Sequence, residues 1–249
     1  MQAQVTLHKS AVSYFRGGDE DRMHHCPLCD YFRLYPENDA RDPALIFLDI
    51  DGVLIDQENL GEIYSTAKKL FQDLEYASPY HQVIASSKHF DCDAIKSLDR
   101  IIQSVEESGQ RPIVILSSAW RHALWLNQLI TDAYRQYKFS KYLFGKTPIE
   151  FRGERCLAPE CKMGFEFYEA AQVAYGIELN SRGSAIEFWL VDHSFDVNKT
   201  NFVVIDDAHQ ESLSRFGPRY INTCKTRCLL NEESADEAID VLCSVVQTA

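Results

Sequence analysis

An α/β fold, three-layered with a central parallel sheet between helices, is what this sequence predicts, and three observations carry it. Leu45-Ile46-Phe47-Leu48 is an apolar run without polar alternation, the pattern of a strand covered on both faces. A helix-period segment then leads to a second such run, Pro112 to Leu116, and strand-helix-strand order argues for parallel pairing. The pattern recurs at Phe202-Val203-Val204-Ile205, and the first and last of these runs end in carboxylates, Asp49 and Asp51 in one case and Asp206 and Asp207 in the other.

The elements follow in order. Residues 1–43 show little periodicity and close with a polar lead-in of Pro36, Asn38, Asp39, Asp42 and Pro43, so they form an extension to a domain spanning 44–249. After the first strand, a helical pattern over Gly61–Tyr76 and a polar stretch through Lys88 make a small insertion at about 56–88, too short for a second domain. Asp91–Ser108 places Ile95, Leu98, Ile101, Ile102 and Val105 on one helical face and stops at Gly109. Pro112 to Ser117 and Ser118 is the second strand, Ala119–Lys138 is helical, and Tyr142–Gly145 is a third strand closed by a turn at Lys146-Thr147-Pro148. Phe151–Tyr175 has no regular pattern. Asn180-Ser181 opens a helix through His193, Phe202 starts the fourth strand, Arg219–Asn222 is a short fifth, and Asn231 caps a last helix to about Val246.

Composition bounds the function. With 249 residues, 45% hydrophobic and 25% charged, the chain builds an ordinary globular core. A net charge of -12 argues against a broad basic face for a phosphate backbone, while leaving room for a local basic pocket. No apolar run approaches the roughly 18 residues of a membrane span, and Met1–Gly18 lacks the apolar core of a secretory signal. The expectation is a soluble, cytoplasmic protein with its eight cysteines reduced. His24-His25-Cys26-Pro27-Leu28-Cys29 has the spacing of half a zinc site, but neither Cys156/Cys161 nor Cys224/Cys228 is spaced as the other half. Buried small side chains and a turn at Pro27 are the plainer reading.

The chemistry concentrates at strand ends. While the chain is extended Asp49 and Asp51 share a side, and a bend at Gly52 turns both toward the carboxyl end of the sheet, where open α/β folds bind ligands. Converging carboxylates need a cation or a shared proton. Ser117-Ser118 precede a helix start, whose unpaired N–H groups suit an anion.

Asp49-Ile50-Asp51-Gly52-Val53-Leu54 resembles the first motif of the haloacid dehalogenase (HAD) superfamily, and three further motifs follow in the family's order. The resemblance implies a Rossmann-like three-layer sandwich with a central parallel sheet and a small cap insertion. It implies Asp49 as nucleophile and Asp51 as general acid/base, with Ser117, or its neighbour Ser118, and Arg182 binding phosphate. Lys146 is the rival to Arg182. Mg²⁺ would be held by Asp49, the backbone carbonyl of Asp51, and the Asp206-Asp207 pair, with Asp206 the direct ligand and Asp207 either behind it, supporting a ligand, or touching through water. The layout resembles most closely HAD-like domains found with RNA-repair modules and HAD-type protein phosphatases secreted by bacteria, which would add delivery to a host cell as a second location.

The function expected is a Mg²⁺-dependent phosphomonoesterase working through an aspartyl-phosphate. Because the insertion is small, an open site is expected to take phosphate on a macromolecule, phosphotyrosine in a protein first and a polynucleotide end second. A small metabolite is a further alternative if Phe151–Tyr175 closes over the site, and a non-catalytic binding module on the same scaffold is another.

Overall fold

The computed structural model describes residues 40–56, 58, 90–118, 137–147, 176–178, 180–208, 211–225 and 228–244. Apart from their edges, the N-terminal extension with Cys26 and Cys29, the 56–88 insertion, the Ala119–Lys138 helix and Phe151–Tyr175 lie outside them.

Five strands form one parallel sheet: β1 Pro43–Leu48, β2 Arg111–Leu116, β3 Leu143–Lys146, β4 Asn201–Asp206 and β5 Tyr220–Asn222, in the spatial order β3-β2-β1-β4-β5. The four principal helices described are α1 Cys92–Glu107, α2 Arg182–Asp192, α3 Glu211–Ser214 and α4 Glu232–Cys243. β1 lies between β2 and β4, so both its edges are hydrogen-bonded and its apolar run has no solvent side.

The pleat sorts the side chains into two cores. Ala44, Ile46 and Leu48 pack with Val114, Leu116, Val203 and Ile205 against α1 and α4. Leu45 and Phe47 pack with Ile113, Ile115, Phe202 and Val204 against α2 and α3. The result is the expected Rossmann-like three-layer α/β sandwich. On the α2 side, Phe47 meets Trp189 and Phe202 edge-on at 5.5 and 5.9 Å, which fixes α2 across the two central strands.

Helix starts follow local chemistry. Asp91 accepts hydrogen bonds from the N–H groups of Asp93 and Ala94, Asn231 accepts from Ser234, and Ser181 and Ser184 form a reciprocal capping box at the start of α2. Two expectations are corrected. Lys146 completes β3 beside Leu116 rather than opening a turn. Cys224 and Cys228 form a disulfide rather than standing reduced, because a tight turn over Thr223–Lys225 folds the chain back and brings the two thiols together. Of the described cysteines, Cys92 and Cys243 are thiols. Among the described residues no helix is long and apolar enough to cross a membrane.

Candidate active site

The same alternation that sorts the core places the carboxylates. The Asp49 N–H donates to the Ile205 carbonyl at 2.9 Å, so the β1–β4 ladder continues one residue past β1. Asp49 therefore stays in step with Leu45 and Phe47, and Asp206 in step with Phe202 and Val204. Both belong to the face covered by α2, whose first residue is Arg182. The Ser117 N–H donates to Leu48 at 2.8 Å, which carries Ser117 forward in the same way from Ile113 and Ile115.

Beyond Ile50 the strand stops. Leu54 and Ile55 donate back to the Ile50 carbonyl, and Gly52 donates to Ile55 at 2.8 Å, closing a compact turn. Gly52 has φ +69°, where a side chain is strained, and a Cβ there would stand 2.1 Å from Asp207 Oδ2. Glycine thus serves both the turn and the close approach of Asp207. Two residues beyond β5 brace this turn: the Thr223 hydroxyl donates to the Gly52 carbonyl at 2.8 Å, and the Leu230 N–H, just before α4, donates to the Val53 carbonyl at 2.9 Å.

One oxygen from each of Asp49, Asp206 and Asp207 lies within 4.8 Å of the others. Arg182 meets this group directly, one terminal nitrogen (Nη1) donating to Oδ2 of both Asp49 and Asp206. The opposite oxygens are held by backbone: Asp49 Oδ1 accepts from Ile50 at 2.7 Å and Asp206 Oδ1 from Ala208 at 2.9 Å. Burial first, then the charge of Asp49, push the Asp206 carboxyl well above the usual range, against the pull of Arg182 and the Ala208 N–H. Burial would lower the Arg182 pKa, but Asp49 and Asp206 outweigh it and hold the guanidinium charged.

With all three carboxylates ionised, one guanidinium leaves two negative charges among these four side chains, which a divalent cation would neutralise. The donors also fit one. Mg²⁺ takes hard oxygen ligands at about 2.1 Å, so its ligands stand roughly 3 to 4 Å apart, and a slight closure of the three carboxylates gives that spacing. The Asp51 carboxylate is not one of the three; its part-buried residue bridges to Ile55 within the turn.

Ser117 and Ser118 are buried at the end of β2, and the helix expected after them lies outside the described residues. Lys146 is buried at the end of β3, two strands from Asp49, whereas Arg182 forms the ion pairs with Asp49 and Asp206.

Sequence reasoning missed three contributors. Thr147 is fully buried directly after β3 and its hydroxyl lies 3.4 Å from that of Ser117. Thr223 follows β5 and holds the Gly52 turn. Tyr220, in β5, donates its phenol proton to the Ala208 carbonyl and so pins the segment after Asp206 and Asp207. Thr147 and Thr223 share a signal, a hydroxyl residue directly after a strand, whereas Tyr220 opens β5. Gly183 was missed too. A Cβ there would stand 2.1 Å from the Ser212 carbonyl, so its hydrogen lets α3 lie on the first turn of α2, next to Arg182.

A parallel sheet in this order, with carboxylates at the ends of its two neighbouring central strands and a guanidinium between them, defines a haloacid dehalogenase-type domain. Within that class the chain belongs to the HAD domains of Swiss Army Knife RNA repair proteins, whose family model matches residues 45–235. No curated protein and no solved structure matches the chain. Membership makes the domain one of the phosphatase-type hydrolase class, in a superfamily that generally uses Mg²⁺.

Proposed function

We propose that this domain is a Mg²⁺-dependent phosphomonoesterase that removes phosphate from the end of a polynucleotide through an aspartyl-phosphate on Asp49. The observation that carries the reading is the buried Asp49–Arg182–Asp206 arrangement beside Ser117. The Asp49 carboxylate, held in place by the Ile50 N–H on one oxygen, is the nucleophile toward phosphorus. Asp51, two residues past the ladder, protonates the leaving oxygen and then activates water against the acyl phosphate. The hydroxyl of Ser117, with Thr147 behind it, and the guanidinium of Arg182 hold the transferring phosphoryl oxygens. Ser118 supports them from the same strand end. Held by Asp49, Asp206, Asp207 and the Asp51 carbonyl, Mg²⁺ would screen the attacking carboxylate from the anionic phosphate.

The polynucleotide end displaces phosphotyrosine as the favoured substrate because the matching family is defined in RNA repair proteins. An end needs a local cationic pocket rather than a basic face, so the net charge of -12 is no obstacle. The test is phosphate release with Mg²⁺ from 3′- and 5′-phosphorylated oligonucleotides, phosphotyrosine peptides and sugar phosphates. The highest kcat/KM on an oligonucleotide end is expected. Preference for the peptide would restore the phosphoprotein reading, and no release from any would leave a binding module.

A further inference from the structure

We infer that Arg182 is an exchangeable counter-cation, bridging Asp49 and Asp206 when no divalent ion is held and yielding their inward oxygens when one enters, its guanidinium then turning to the phosphate. This rests on the metal-dependent phosphatase reading above and adds a residue-level account of how the site is charged.

Three observations point to it. First, the donors overlap. Each carboxylate has its Oδ1 on a backbone N–H, at 2.7 Å for Asp49 and 2.9 Å for Asp206, while both Oδ2 atoms meet the same nitrogen, Arg182 Nη1. A cation held by both residues through their inward oxygens would compete with that nitrogen for the same two acceptors. Second, the bridging pose leaves Arg182 incompletely satisfied: its Nε–H is buried and has no hydrogen-bond partner among the described residues. A phosphate offers acceptors in the planar arrangement that Nε and a terminal nitrogen address together, so turning to the anion gives the orphaned donor a partner. Third, the backbone beneath it is fixed. Ser181 and Ser184 close the capping box on either side of Arg182, and Ser212 packs on Gly183 so closely that no Cβ fits. Exchange is therefore a rotation of one side chain about a stationary helix start, not a movement of α2.

The consequence is ordered chemistry. With the guanidinium across both carboxylates, Arg182 is committed to Asp49 and Asp206 and is not available to a phosphate. A cation held on those inward oxygens would release Arg182 to substrate. Metal and phosphate then favour one another through this side chain, and linkage makes the effect reciprocal.

The test uses the full chain and Mg²⁺ alone. Isothermal titration of wild type and of Arg182→Gln measures Mg²⁺ affinity directly. The variant is expected to bind Mg²⁺ about fivefold or more tightly, because nothing competes for the Oδ2 atoms. In parallel, the wild-type protein labelled with ¹⁵N-arginine reports the Arg182 Nε–H resonance, assigned by its loss in Arg182→Lys. That resonance should shift in step with Mg²⁺ binding and shift again on adding inorganic phosphate. The resonance experiment needs only folded wild type, so it decides the matter if Arg182→Gln does not fold. Equal or weaker Mg²⁺ binding by folded Arg182→Gln, or an Nε–H resonance unmoved at saturating Mg²⁺, overturns the exchange and leaves the phosphatase reading standing. No Mg²⁺ binding by either protein overturns both.

Discussion

At the scale of single residues, the site sets the charge of its carboxylates against their burial, Asp49 and Asp206 being almost wholly out of reach of solvent. Asp49→Asn keeps the shape and one oxygen for the Ile50 N–H but removes the attacking anion, so a folded variant without turnover is expected. Circular dichroism with a phosphate-release assay checks it, and near wild-type hydrolysis by the folded variant would remove Asp49 as nucleophile. Asp51→Asn is expected to stop turnover of a poor leaving group and to retain phosphoenzyme on an activated ester, seen as a mass increment on the intact chain. Full activity toward the poor leaving group would exclude the acid/base role. Gly52→Ala tests a backbone position. Its φ of +69° costs about 1–3 kcal/mol with a side chain, and its Cβ would displace Asp207, whereas Gly109→Ala at φ +81° meets open space. Both variants should melt lower, but only Gly52→Ala should weaken Mg²⁺ binding in a calorimetric titration.

At the scale of elements, two caps of similar worth sit on opposite faces of the sheet. Ser181→Ala removes the cap of α2, which begins at Arg182, and Asn231→Ala removes the cap of α4. Each should cost about 1 kcal/mol, a fall in Tm of roughly 2–4 °C. Turnover should fall further in Ser181→Ala, measured at a temperature where both are folded. Equal activity losses would make the α2 cap a matter of stability alone. The sequence announced these elements unevenly. β1, β2 and β4 were legible because strands buried on both faces are unbroken apolar runs, α1 because its apolar stripe stops at Gly109, and α2 and α4 because each starts at a side-chain cap. α3 was not, since four residues carry no period and its position depends on the hydrogen of Gly183. The Cys224–Cys228 link was illegible for a related reason: pairing is decided by the fold of a short turn after β5.

At the scale of the molecule, the cluster of Asp49, Asp206 and Asp207 would tie a bound divalent cation to global stability. A cation that binds only the folded chain stabilises it by about 2.7 kcal/mol at a hundredfold excess over Kd, or roughly 5–10 °C in Tm for a chain of this size. Differential scanning fluorimetry should show that gain with Mg²⁺, its loss in EDTA, and its absence in Asp206→Asn. A melting curve indifferent to Mg²⁺ would remove the metal from the site. The candidate ligands were legible from strand ends, but their convergence was only partly so. Asp49 and Asp206 face α2 because each keeps the parity of its strand, which the sequence implies once the register is known. Asp51 leaves the cluster because the ladder ends at Asp49 and the Ile50 turn resets direction. Thr147 and Thr223 depended on strand order, which periodicity alone does not supply.

The adjacency of β1 and β4 also bears on how the protein is made. Ala44 pairs with Asn201, so the central ladder joins segments that leave the ribosome far apart in time. β1 and β2 can pair early, but Asp49 has neither Arg182 nor Asp206 beside it until most of the chain has been translated. A nascent or truncated chain ending before Asn201 therefore lacks two of the three carboxylates that meet at the site. The three carboxylates of the site therefore come together only once β4 has been made, late in the chain.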